Sequence, residues 1–335
     1  MSINRVRQWA TLGAGFTLAL SLAACGGNVG GGSDDGATFP GDTPITIFVG
    51  QDPGGSTDLI ARALAEQVSD DLGVPVTVEN KPGANGALAA KELSGKKADG
   101  HTLMVYNGSL AYITPLAVAE GQVPDIAEYE IVTGVSQDDY VLVTAPKSGF
   151  KTVDDIAKAG RQITFGTTGV GTGSQLSQAL LFAQKGIDAK AVPFDGGSPT
   201  LTAVLGSQVD VGAVQLGEAI EQIEAGKLTP IVTFADKRPT YLADTPTAGE
   251  AGLDVPVQQS RAIFAPKGTP TAAIDTLRAA FQKAFQAEAY KKFNEENLLT
   301  PNEVDGEELR KQWTTSLTEY KSVLQKHNIN LGGAK

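Results

Sequence analysis

The sequence predicts an α/β protein. Short β-branched runs alternate with segments of helical apolar period along most of the chain, and glycine-rich turns stand at the junctions between them. Length adds a division into two lobes, because about 290 residues follow residue 42 and a single core stops growing near that size.

In the first half, Ile45-Thr46-Ile47-Phe48-Val49 reads as a strand. Helix follows from about Asp58, with Ile60, Leu64, Val68 and Leu72 on one stripe. Val76-Thr77-Val78 is the next strand, Ala84 to Leu93 a short helix, and Thr102 to Val105 a third strand. Tyr140 to Thr144 opens the second lobe, where Ile163 to Phe165, Ala191 to Phe194, Val209 to Val214, Ile231 to Phe234 and Ile263 to Ala265 read as strands. Helices are expected through Leu176 and Leu180, and from Pro199 through Leu205. The C-terminal stretch is helical, with Ile274, Leu277, Phe281 and Phe285 on one face and Leu309, Trp313, Leu317, Tyr320 and Leu324 on another.

The N-terminus has the form of an export signal. Arg5 and Arg7 precede an uncharged run from Trp9 to Ala24, too short to be read as a spanning helix. It closes on Leu22-Ala23-Ala24-Cys25, which resembles a bacterial lipobox, and Cys25 is the only cysteine, so no intrachain disulfide accounts for it. The expectation is a lipoprotein signal peptide at 1–24, lipidation of Cys25, and a glycine-rich flexible tether at 25–42. The alternative is an ordinary signal peptide that ends near a cysteine. No later stretch is long and apolar enough to span a membrane.

Loss of Arg5 and Arg7 on cleavage takes the formal charge from −11 to −13, which disfavours nucleic acid as a partner. It leaves room for a small anion, since local backbone dipoles act at short range.

One device recurs three times: strand, glycine-rich turn, helix. It appears at Asp52-Pro53-Gly54-Gly55-Ser56-Thr57-Asp58, at Gly166 to Ser174, and at Asp195-Gly196-Gly197-Ser198-Pro199. Each turn offers a Ser or Thr to cap the next helix, and Ser198 followed by Pro199 is the expected start of the third. Unpaired N–H groups at helix starts receive anions without Lys or Arg. The plain alternative is that each turn is only a tight connection. The second turn lacks a P-loop lysine and the G-x-G-x-x-G spacing, which disfavours a nucleotide.

Enzyme chemistry has little support. His101 and His327 are the only histidines, neither lies in a nucleophile motif, and no metal-ligand cluster or cofactor motif is visible. The pairs Asp70-Asp71, Asp138-Asp139 and Asp154-Asp155 read as solvated helix ends and turns. Arg62 reads as a structural ion-pair partner. Arg261, just ahead of an apolar strand, either grips a carboxylate or pairs within the fold.

These residues resemble a known family, the substrate-binding receptors of tripartite tricarboxylate transporters, also called Bug or TctC receptors. The resemblance runs from about Thr43 to Gly332. It rests on Pro53 to Asp58 with Ala61-Arg62, Val78 to Gly86, Asp99 to Leu103, Val192 to Pro199 continuing through Gly206 to Asp210, Ala225 to Leu228, Asp244 to Thr247, and Ala265 to Pro270, all in family order.

The resemblance implies a two-lobed periplasmic-binding-protein fold of the second type, its α/β lobes joined by two crossing strands with a ligand cleft between. Lobe 1 would comprise 43–139 and 261–335, and lobe 2 residues 140–260. Implied ligand-binding residues are Gln51, Asp52, Pro53, Gly54, Gly55, Ser56 and Thr57, then Asn107, Gly108 and Ser109. The second lobe would add Thr168, Gly169, Gly171, Thr172, Gly173 and Ser174, then Asp195, Gly196, Gly197 and Ser198, with Arg261 beside the crossing. The family often has an aromatic at Gln51, proline at Asp52, Lys at Asp195, His at Gln175 and Asp at Val214. Asp52 and Asp195 therefore add negative charge, which favours a ligand with an amine or fewer carboxylates over citrate.

The expected protein is a non-enzymatic, monomeric, extracytoplasmic receptor for a small organic anion, a carboxylate or acidic amino acid, with no cofactor or metal. Its expected partners are integral-membrane permease subunits and, through the lipid, the membrane. Alternatives are a same-fold receptor that feeds a sensor or another transporter, and an extracytoplasmic hydrolase.

Overall fold

The computed structural model describes residues 39–255 and 257–332. Cys25, the signal peptide expected at 1–24 and nearly all of the tether expected at 25–42 lie outside the described residues.

The first lobe is built on parallel strands. β1 (Ile45–Val49) is followed by α1 (Ser56–Leu72), β2 (Val76–Asn80), α2 (Ala87–Ser94), β3 (Thr102–Asn107) and the single turn α3 (Ser109–Tyr112). β1 pairs in parallel with both β2 and β3. Ile45, Ile47 and Val49 are buried on one face of β1 against Ile60, Leu64 and Val68 of α1, the stripe expected from the apolar period. Several boundaries differ from the sequence reading: β2 and β3 each run two residues further than expected, to Asn80 and Asn107. α1 starts at Ser56, two residues early, and the segment expected as one helix from Ala84 breaks into a 3₁₀ turn, Ala84–Gly86, and α2, because Asn85 sits at φ 58°.

β4 (Tyr129–Thr144) is the largest departure. Only its last five residues were expected as strand, but it runs for 16. Its first half pairs antiparallel with β9 (Gln258–Pro266), from Tyr129 opposite Pro266 to Asp139 opposite Gln258. Its second half, from Tyr140, pairs with β7 (Val211–Gln215) and β8 (Thr229–Thr233). Asp138-Asp139 is therefore no solvated turn. Asp138 is buried inside β4, where Ser136, Thr300 and Arg261 satisfy its carboxylate. A polar run read as loop is strand because its polar groups find partners inside the fold.

The second lobe repeats the parallel arrangement. α4 (Val153–Ala157), β5 (Ile163–Thr167), α5 (Gly173–Lys185), β6 (Ala189–Pro193), α6 (Gly197–Leu205), β7, α7 (Leu216–Glu224) and β8 follow in order. β5 lies in parallel between β6 and β7. Ser198 does not cap α6: Gly196, at φ 122°, stands at the N-cap and the helix has begun by Gly197. Thr172 does cap α5, its hydroxyl accepting from the Gln175 amide at 3.2 Å.

The chain returns through β9 to α8 (Thr271–Gln286), α9 (Glu288–Glu296) and α10 (Gly306–Lys326). α8 packs on α1 through Leu277 and Phe281. Trp313 of α10 stacks near Phe264 and Tyr106 beside the crossing strands, and its indole N–H donates to Ser260 Oγ at 3.0 Å. The strand order β2-β1-β3-β9-β4-β7-β5-β6 carries one sheet into the other through β4. The carboxyl ends of β1, β3 and β5 thus face one another across that junction, where ligands of open α/β sheets bind.

Candidate functional site

Three helix starts converge where the lobes meet. A small cavity of about 20 Å³ is lined by Gly55, Ser56 and Thr57 of the α1 start, Thr168 and Thr172 ahead of α5, and Gly197 of the α6 start. Gln51, Asn85, Asn107, Gln215, Glu218 and Gln259 complete it. A larger groove of about 340 Å³ between β9 and α10 has none of these turns. The smaller cavity is where the helix starts of both lobes and amide side chains come together, so the chemistry points there.

Of the residues expected from sequence, Gln51, Gly55, Ser56, Thr57, Asn107, Thr168, Thr172 and Gly197 line the cavity. The others shape or brace it. Gly54, at φ 87°, donates its amide to Asp58 Oδ2 at 3.0 Å, and Pro53 is exposed. Gly108 donates to the Ser260 carbonyl at 2.8 Å and packs too closely on the Tyr112 ring to carry a side chain. Ser109 Oγ accepts from Asn85 Nδ2 at 3.2 Å. The Gly169 carbonyl accepts from the Thr172 hydroxyl at 2.8 Å. Gly171, at φ 71°, lies against Thr114, whose hydroxyl donates to its carbonyl at 2.9 Å across the lobes. Gly173 faces the Tyr140 ring. The Ser174 hydroxyl donates to the Ala213 carbonyl at 2.6 Å and accepts from the Thr168 amide, which ties α5 to β7.

Asp52 and Asp195 do not line the cavity. Asp195 is exposed and Asp52 partly so, and the Asp52 amide donates to the Asp195 carbonyl at 3.2 Å, backbone to backbone between the lobes. Gly196 carries that contact, packed on Gln51, while Ser198 lies near Gly54.

Arg261 is inside β9 and buried. Its guanidinium forms an ion pair with Asp138 and donates to Ser56 Oγ at 3.0 Å and Thr57 Oγ1 at 3.1 Å. The carboxylate it grips is the chain's own. Burial pushes the Asp138 carboxyl up, against the pull of Arg261, Ser136 and the Thr300 amide. Arg261 thus fixes the α1 start to the crossing strands. Arg62 is structural, bound to Asp58 at 2.8 Å and Asn80 at 3.0 Å. His101 contacts the Pro40 carbonyl and Asp99.

Sequence reasoning missed Glu218. It sits in the first turn of α7, and its Oε1 accepts from the Ser56 amide of α1 at 2.6 Å. Its carboxylate lies against Gly55 and Gly197, where a side chain at Gly197 would collide with it. The Gln215 side chain, with its nitrogen turned toward Glu218, donates to both oxygens at 3.3 and 3.2 Å. Burial pushes the Glu218 carboxyl up, offset in part by the Ser56 amide and the charge of Arg261. Asn85, also missed, donates to Ser109 Oγ and Thr114 Oγ1 at 3.2 and 3.0 Å and accepts at its carbonyl from Gln51 Nε2. The signal for Asn85 was its place in the Asn85-Gly86 turn. Glu218 had none, since α7 was not expected as a helix.

Among the described residues no helix is long and apolar enough to cross a membrane, and no His, Cys, Asp and Glu cluster is arranged to hold a metal.

The chain is 31% identical over 264 residues to the protein BugT of Bordetella pertussis, covering 75% of this chain and 79% of that one. A solved periplasmic transporter superposes with a TM-score of 0.81 at 28% identity, over 86% of this chain and 98% of that one. MatC from Rhodopseudomonas palustris, solved with bound malate, gives a TM-score of 0.76 at 26% identity, over 84% of this chain and 98% of that one. The model of the tripartite tricarboxylate transporter family receptor matches residues 60–329. With its paired α/β sheets, two crossing strands and a cavity at their junction, this chain belongs to the tripartite tricarboxylate transporter receptor family.

Proposed function

We propose that the chain is an extracytoplasmic receptor that captures a small organic acid between its lobes and hands it to integral-membrane permease subunits. The observation that carries the reading is the convergence of three helix starts, from both lobes, on one cavity walled by amide and hydroxyl groups and by the single carboxylate of Glu218. Backbone N–H groups at such ends bind a carboxylate without a free cation. The malate held by MatC is consistent with this chemistry.

Lobe 1 would be 43–139 with 261–335, and lobe 2 residues 140–260, so that β4 and β9 form the hinge. A space of about 20 Å³ holds about one water, so entry of an acid requires the lobes to part. A ligand with contacts to both lobes then shifts the population toward closure by its differential affinity. The crossing strands carry Tyr140, whose hydroxyl donates to Gln259 Oε1 at 2.6 Å, and Ser260, which accepts from Trp313. Trp313 is the only tryptophan beyond the signal peptide. Its fluorescence should change on titration with a bound acid, and an acid panel that leaves both fluorescence and melting temperature unmoved would contradict the reading.

Cys25 would bear the lipid, and the tether of about 17 residues would hold the body near its permease at raised effective concentration. Mass spectrometry of the membrane-extracted protein should find a diacylglycerol-modified Cys25. A Cys25→Ser chain that stays on the membrane would contradict the anchor.

A further inference from the structure

The cavity holds an excess of acceptors. Glu218 brings a carboxylate to the start of α1 and takes the Ser56 amide that an incoming acid would otherwise use. The cation that acts on it, Arg261, is already bound to Asp138, so the negative charge of Glu218 has no cation of its own. Independently, Gln51 Oε1 is buried and has no donor. Its orientation is fixed, because Gln51 Nε2 donates to the Asn85 carbonyl at 3.3 Å and a reversed amide would face oxygen to oxygen. Gln51 is only 7% exposed and lines the same cavity as Glu218. A buried acceptor without a donor is costly, as is a desolvated carboxylate without a cation. A ligand that supplies N–H groups relieves both. A ligand that presents only carboxylates to this wall meets like charge.

We propose that Glu218, with Gln51, is the specificity-determining element of the cleft, and that it selects an organic acid carrying a hydrogen-bond donor of the ammonium or amide kind over the same acid without one. The inference rests on the receptor reading above. It moves the charge selection expected at Asp52 and Asp195 to a residue that faces the cavity.

Calorimetry on the full chain with three matched pairs tests it: succinate with aspartate, glutarate with glutamate, and 3-phenylpropanoate with phenylalanine. Each pair differs only in the α-ammonium group. For whichever skeleton binds, the amine-bearing member should bind at least about tenfold tighter, a factor worth about 1.4 kcal/mol. Glu218→Gln should shrink that ratio by about tenfold or more, while Glu218→Asp keeps its direction. Tighter binding of the amine-free member to the unaltered chain overturns the inference without need of a variant and leaves the receptor reading standing. A ratio unchanged in a folded Glu218→Gln protein does the same. No binding of any of the six at millimolar concentration overturns the receptor reading, and the inference with it.

Discussion

The Glu218 carboxylate of the second lobe accepts a hydrogen bond from the Ser56 amide of the first at 2.6 Å. One side chain thereby caps the start of α1, a helix whose N-cap, Gly55, has no side chain to do so. The same contact spans the lobes, so the charge of Glu218 is coupled to closure. Its carboxyl is pushed up by burial, so the folded state disfavours the charged form. Such a group costs stability as pH rises past its unfolded value of about 4.3 and on through the raised folded value.

Glu218→Gln should therefore raise the melting temperature at pH 7 to 8. The Gln oxygen can still accept from Ser56, while the charge is gone. The gain should shrink as pH falls toward 4, where the unaltered carboxyl takes up its proton. Scanning calorimetry from pH 4 to 8 reads this, and a gain that is constant with pH would show that the Glu218 charge is not what burial opposes.

Gly197→Ala should weaken binding of an acid by about tenfold or more. The new methyl group collides with the Glu218 carboxylate and pushes it from the start of α1. Overpacking of this kind costs about 1–3 kcal/mol. Combining it with Glu218→Ala, which removes the obstructing group, should recover part of the folding stability in urea titration.

Arg261→Met should destabilise the protein by about 3–5 kcal/mol, because it strands the Asp138 carboxylate inside the fold. Arg261→Met with Asp138→Leu should be closer to the parent than the single variant, since a buried pair replaced whole is often near neutral. Equal losses in both would mean that the bonds from Arg261 to Ser56 and Thr57, rather than the pair, hold the α1 start.

The acid limb of stability should depend on Asp210. Two bonds from Arg161, at 2.9 and 2.6 Å, with the Thr164 amide and hydroxyl, hold its carboxyl below the usual carboxylate range. A depressed carboxyl contributes stability that is complete above the unfolded value, about 3.9, and is lost as pH falls through the folded value. Asp210→Asn should lower stability at pH 7 and flatten its fall below about pH 4. Parallel pH profiles for the two proteins would refute this.

How much was legible in the sequence follows from which features are local. Strand cores such as Ile45 to Val49 and the stripe of α1 are written in the period of the chain and were read correctly. The turn at Thr172 was legible too: its hydroxyl caps α5, and Thr172→Ala should cost about 1 kcal/mol. Ser198 carries the same local signal without the same role. Gly196 takes the cap position, so Ser198→Ala should stay within about 0.5 kcal/mol of the parent. The first half of β4 was illegible because Ser136, Gln137, Asp138 and Asp139 look like a turn until Arg261, Thr300 and Gln258 are brought to them. Arg261 and Asp138 are 123 residues apart, and no local pattern encodes their meeting. Glu218 was hidden for the same reason, being 162 residues from Ser56.

Capture of an acid by closure of two lobes about β4 and β9 is the central claim. Pulsed electron spin resonance between nitroxides at Lys91→Cys on α2 and Glu221→Cys on α7, both exposed sites, in a Cys25→Ser background, tests it most directly. With the acid that binds in calorimetry at saturation, the distance distribution should narrow to a single population matching the structure, and without it a second, distinct population should appear. A distribution that is the same with and without an acid proven to bind would contradict the account.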